Sequence, residues 1–171
     1  MSRWIRCRCA LLLWLTACGG DRMEGAVAHE QADDAGVDQA DAADFEGCPD
    51  SIPPFALGMS ARSRDGSIKA VLRAASSLPP ARFLNDWTVE FTDAQGNPLP
   101  NVSLRQARAF MPVHGHYGTP DPRLTQHEDE PALFDLDALN LFMRGPWQVQ
   151  LSLSAPSTGE TALVFEVCVE E

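Results

Sequence analysis

The sequence predicts an all-β protein, an immunoglobulin-like antiparallel β-sandwich of about seven strands, preceded by a signal peptide and a disordered tether. Three observations predict it. From Gly47 onward, short apolar runs alternate with turn signals, the spacing expected of a sandwich or barrel. Inside these runs apolar residues recur at every second position, which buries one face of a strand. Thirteen prolines and 12 glycines in 171 residues, with no convincing amphipathic helix, argue against a helical bundle.

Taken in order, Phe55 to Met59 is the first expected strand. Arg64-Asp65-Gly66-Ser67 is a hairpin-like turn, since Asp-Gly readily supplies positive φ. Ile68 to Ala75 is the second strand, and Leu78-Pro79-Pro80 breaks the ladder. Trp87, Val89 and Phe91 alternate with Thr88, Glu90 and Thr92, and Asp93 to Pro98 is a turn. Val102 to Met111 is a fourth strand, followed by a proline- and acid-rich loop from Pro112 to Pro131. Leu133 to Leu141 reads as a fifth strand, split or continuous. Trp147, Val149, Leu151 and Leu153 alternate with Gln148, Gln150 and Ser152, and Leu163, Phe165, Val167 and Val169 close the chain. The strict alternation makes Trp87 and Trp147 core residues on opposing sheets rather than ligand-stacking platforms.

The chain divides by charge. Residues 1–17 carry three arginines and no acid, residues 18–46 carry a net −8, and residues 47–171 carry −6, within a total of −11. A basic start, a short apolar run from Cys9 to Leu15 and small residues after it have the anatomy of a secretory signal. The run is about half the roughly 20 apolar residues a transmembrane helix requires. Leu15-Thr16-Ala17-Cys18 resembles the bacterial lipobox. That resemblance implies a signal peptide over residues 1–17 and acylation of the Cys18 thiol, which becomes the mature N-terminus. Gly19, where an Asp would resemble an inner-membrane retention signal, favours the periplasmic face of the outer membrane. Residues 18–46 are rich in Ala, Asp and Gly and too poor in apolar bulk to offset the entropy of ordering, so they read as an acidic, disordered linker. The 28 residues after Cys18 span roughly 30 Å as a coil. The folded domain is residues 47–171.

The negative balance makes nucleic acid a poor partner, because phosphate contacts need clustered Lys and Arg. No Gly-x-Ser-x-Gly elbow, phosphate-binding Gly loop or dinucleotide fingerprint is present, so the expectation is no enzyme. Of five cysteines, Cys7 and Cys9 leave with the signal and Cys18 is lipidated. Cys48 and Cys168 remain, and an even pair in an exported chain reads as a disulfide. Two free thiols, or Cys168 as a soft metal ligand, are the alternatives.

One stretch carries chemistry: Met111-Pro112-Val113-His114-Gly115-His116-Tyr117-Gly118. On an extended backbone His114 and His116 face the same side, so two imidazoles can converge on one ion. Thioether and imidazole donors together suit copper, Cu(I) more than Zn(II). Met111 faces the other way in strict alternation unless Pro112 interrupts it. The structural alternative is that these side chains fix a loop, the histidines bonding carbonyls and Met111 filling a gap.

Met111-Pro112-x-His114-Gly115-His116, followed by Met143-x-Gly145-x-Trp147 before a final pair of strands, resembles the YtkA-like domain family over roughly residues 55–169. The resemblance implies an immunoglobulin-like sandwich in an exported or membrane-attached protein. Some members of that family occur near copper-handling or oxidase-assembly components, which implies copper binding. By position, the implied ligands are Met111, His114, His116 and Met143, with Gly145 and Trp147 structural. The insert from Thr119 to Pro131 and Arg144 beside Met143 depart from the pattern. His127-Glu128-Asp129-Glu130 lacks the second histidine of a zinc-protease motif and reads as a solvated loop. Two functions follow: a lipid-anchored domain that binds copper and passes it to a periplasmic protein partner, or a non-catalytic interaction module of the envelope without metal.

Overall fold

A computed structural model describes residues 47–170. The expected signal peptide, the expected acylation site Cys18 and the expected acidic linker lie outside these residues. Nine strands form two antiparallel sheets. They are β1 (Ser60–Arg62), β2 (Ile68–Ala75), β3 (Phe83–Asp93), β4 (Ser103–Met111), β5 (His116–Tyr117), β6 (Arg123–Gln126), β7 (Leu133–Leu141), β8 (Gly145–Ala155) and β9 (Gly159–Val169). One sheet has the order β1-β2-β3-β7-β6 and the other β5-β4-β8-β9. The fold class is the expected all-β sandwich.

The core lies between the sheets and follows the period-two pattern. Trp87, Val89 and Phe91 of β3 point inward from one sheet, and Trp147, Val149, Leu151 and Leu153 of β8 from the other, all at 1% exposure or less. Leu163, Phe165, Val167 and Val169 of β9 add a fourth inward row. Trp87 meets Phe165 edge-on across the sandwich, with ring centroids 6.1 Å apart, the arrangement aromatic quadrupoles favour. Cys48 and Cys168 form a disulfide, joining the start of the domain to the final strand.

Two sequence expectations are corrected, and one left open is decided. The first strand is Ser60–Arg62 rather than Phe55 to Met59. Gly58 has φ +86°, which interrupts an extended chain, while Phe55 packs on Trp87 at 5.2 Å. The long loop after Met111 is not structureless, because it contains β5 and β6. β6 shows little burial; it is an edge strand, and apolar alternation has no reason to mark it. Its Arg123 pairs with Asp137 of β7 at 2.7 Å. Leu133 to Leu141 is one strand with a bulge. Asn85 and Trp87 of β3 face Leu139 and Leu136 of β7, so β7 carries one extra residue there. Ala138 takes φ +62° at that point, and its N–H is held by the Asp86 carboxylate at 2.8 Å, which satisfies a donor the ladder leaves unpaired.

Candidate metal site at the β4–β5 hairpin

The hairpin after β4 turns on Gly115, whose φ of +68° places it in the left-handed region. The N–H groups of His114 and Gly115 both reach the Met111 carbonyl, at 3.3 and 2.9 Å. The chain then returns as β5, with Met111 opposite His116 and Phe110 opposite Tyr117. Directly opposed residues project to the same face of a sheet with Cβ atoms roughly 5 Å apart. Met111 and His116 therefore form an inward pair. Phe110 and Tyr117 form an outward pair, with centroids 4.9 Å apart and Arg108 lying 3.7 Å over the Tyr117 ring.

Gly118 ends the hairpin where the two sheets touch. Its N–H donates to the Ala109 carbonyl at 2.9 Å. A Cβ at Gly118 would lie 2.0 Å from the backbone oxygen of Asn140 in β7, so only glycine fits. The Asn140 amide in turn donates to the Thr119 carbonyl at 2.7 Å. These contacts fix β5 against β7 and set the position of His116.

His116 is half-buried in an aromatic box. Its ring lies 5.1 Å from Phe142 with an interplanar angle of 27°, and 6.0 Å from Trp147. Trp147 is held by its indole N–H, which donates to the Met143 carbonyl at 2.9 Å. Exposed His114 completes the arrangement, its ring 5.6 Å from His116 and tilted by only 4°. The Nδ1 atom of His116 is buried and has no hydrogen-bond partner. A buried polar nitrogen left unpaired costs about 1–3 kcal/mol, a cost that Trp87 Nε1 in the core also carries.

The structure brings His114 and His116 together, as the sequence analysis expects, but by another route. His114 is in the turn and His116 in β5, and the reversal at Gly115 makes them neighbours. The reversal also answers the question of Met111, which shares the inner face with His116 rather than facing away from it. The Met111 side chain is fully buried. Met143 is partly buried against the core, and its carbonyl accepts from the Trp147 indole N–H. Arg144 is exposed. Phe142, absent from the sequence-derived site, is the platform under His116. Its only sequence signal is an aromatic residue just before the Met143-to-Trp147 segment.

His127-Glu128-Asp129-Glu130 is the expected solvated loop, with Glu128 to Glu130 exposed, and within it His127 Nε2 lies 3.0 Å from Asp135 Oδ2. The Thr88 hydroxyl donates to the other Asp135 oxygen at 2.8 Å. Burial raises the Asp135 carboxyl, but the His127 and Thr88 hydrogen bonds outweigh it and hold it below its ordinary value. The hydroxyl bonds the carboxylate rather than the imidazole, so the order needed to activate a nucleophile is not formed.

Comparison of the chain with protein-family models, curated proteins and solved structures finds no match. The resemblance to the YtkA-like family rests on the quoted motif residues alone.

Proposed function

We propose that the chain is a lipid-anchored, non-catalytic β-sandwich of the cell envelope that binds one copper ion, as Cu(I), between His114 and His116. One observation carries the reading: two nearly parallel imidazoles 5.6 Å apart, one with a buried Nδ1 that has no protein partner. Histidine nitrogens bind such ions at about 2.0–2.1 Å through lone pairs in the ring plane, so the two stacked rings would turn toward one ion on binding it. Met111, on the same face as His116, adds a soft thioether suited to the reduced ion. Exposed His114 gives the ion a route to a periplasmic protein partner. The second reading, an interaction module without metal, is supported by the packing of Met111 in the core.

The test is Cu(I) titration of the chain from Gly19 onward, under reducing conditions, against a chromophoric chelator. The expected result is one equivalent bound, lost in both His114→Ala and His116→Ala. Binding that survives the double replacement, or failure to compete even with weak chelators, overturns the copper reading and leaves the interaction module.

A further inference from the structure

The end of the sandwich that carries the hairpin also carries most of the large apolar residues left in solvent among the described residues. Leu78, Phe83, Leu84 and Val113 are exposed at 52, 57, 60 and 62%. The register and contacts place them together. Phe83 pairs with Leu141, the last residue of β7. The chain continues through Phe142, whose carbonyl accepts from the Arg82 guanidinium at 3.3 Å and whose ring supports His116. Val113 sits on the tip of that same hairpin. Leu78 lies on the other side of the turn that leads into Phe83.

This apolar display is held in place. Buried Asn85 clamps the turn, its Oδ1 accepting from Ala81 N–H at 3.0 Å and its amide donating to the Ala81 and Phe83 carbonyls at 2.8 and 3.2 Å. Phe83 itself takes φ +73°, an unfavourable conformation for a bulky residue. A buried amide and a strained backbone thus hold Phe83 and Leu84 out in water, where isolated packing gives no reason for them.

The linker enters the domain beside them. The described chain starts at Gly47, and Cys48 is pinned by its disulfide to Cys168. Cys168 pairs with Pro146 at the start of β8, the same end of the sandwich. A cleft there is lined by Cys48, Phe55, Pro79 and Cys168, which sets the tether's entry beside the Leu78-Pro79 corner. We propose that Leu78, Phe83, Leu84 and Val113 rest on the lipid surface to which Cys18 tethers the chain. The inference rests on the lipid-anchor part of the proposed function. The linker enters beside this end, and its roughly 30 Å span as a coil lets the end reach the bilayer, where shallow insertion of apolar side chains supplements acyl chains. Asp50 and Glu170 share the end with Arg82 and Arg144, so the contact is apolar rather than a match of charge.

The experiment uses the full chain, expressed with its signal, purified from membranes and placed in phosphatidylcholine vesicles with and without brominated acyl chains. Intact mass and vesicle flotation establish acylation first. Leu84→Trp and Val113→Trp, both at exposed positions, report on this end; Ser157→Trp, in the β8–β9 turn at the opposite end, is the control. The expected result is roughly twofold or greater quenching of the added emission in the first two and none in the control, unchanged when phosphatidylglycerol is included. An acylated, floating protein whose Leu84→Trp and Val113→Trp emission is insensitive to bromine overturns the inference alone. An unacylated chain that does not float overturns the anchor and the inference with it. Bromine-insensitive emission that shifts to the blue as the protein dimerises assigns the patch to a second copy and also overturns it.

Discussion

Gly118→Ala is the sharpest test of how the hairpin is held. The added Cβ would lie 2.0 Å from the Asn140 carbonyl oxygen, where ordinary contact begins at 3.4 Å. One of the two backbones must therefore move by about 1.4 Å, the difference between these distances. Neither can yield by changing a rotamer. Asn140 belongs to β7, paired with β3, so the hairpin moves instead. It then loses the Gly118-to-Ala109 and Asn140-to-Thr119 hydrogen bonds, each worth about 1 kcal/mol net. Overpacking strain adds about 1–3 kcal/mol, giving a loss of about 3–5 kcal/mol and a Tm lower by about 10–20 °C. Gly115→Ala is the matched control. That position has φ +68° but open space around its Cβ, so it carries only the left-handed penalty of about 1–2 kcal/mol. Urea unfolding followed by the fluorescence of buried Trp87 and Trp147 measures both. The reasoning is refuted if Gly118→Ala costs no more than Gly115→Ala.

Three further outcomes follow from the same geometry. The Cys48–Cys168 bond has a sequence separation of 120, for which the chain-entropy relation gives at most about 5 kcal/mol; Cys48→Ala/Cys168→Ala should shift the urea midpoint downward, and reductant should do the same to the native protein but not to the double variant. Trp147→Phe removes the donor to the Met143 carbonyl and leaves space beside His116, and should cost about 2 kcal/mol by thermal melting. At Asp93, the Asn97 side-chain amide and the neighbouring backbone N–H groups hold the carboxyl below its ordinary value. A depressed folded value means that the stabilisation is present above the unfolded value of about 3.9 and is lost as pH falls through the folded one. The stability gap between native protein and Asp93→Asn should accordingly be constant at neutral pH and close below about pH 5; a gap unchanged in acid refutes this account of the turn.

Much of the sandwich is legible because burial imposes alternation. β3, β8 and β9 each bury every second side chain, so Trp87, Trp147 and Phe165 announce their strands. Where burial does not act, the sequence is silent. β6 lies at a sheet edge, held by main-chain pairing to β7 and by the single side chain of Leu124 against the core, and neither leaves an apolar period. Asp65-Gly66 and Asp93 to Pro98 are legible for a different reason: each joins a carboxylate that accepts nearby donors to a glycine at positive φ. The Cys48–Cys168 pairing follows from compartment and count, not from any spacing.

The hairpin shows where one-dimensional reading stops. Alternation on a continuous strand puts His114 and His116 together and Met111 opposite them. A reversal at Gly115 brings the two histidines together as well, but it also turns Met111 to the same face as His116. Both geometries satisfy the same residues, and only the second explains why Gly118 must lack a side chain. Phe142 is invisible to the motif because it acts through a contact between sheets, 26 residues from His116. The spacing of donors along the chain therefore locates a segment of interest, while the ring stack and the unpaired Nδ1 make it a specific chemical proposal. If Cu(I) occupies the site, replacing Phe142 by Leu should leave the donors intact yet loosen His116. The measured affinity should then fall by less than in His116→Ala; an equal loss in both would mean that the aromatic box, rather than the imidazole nitrogen, determines binding.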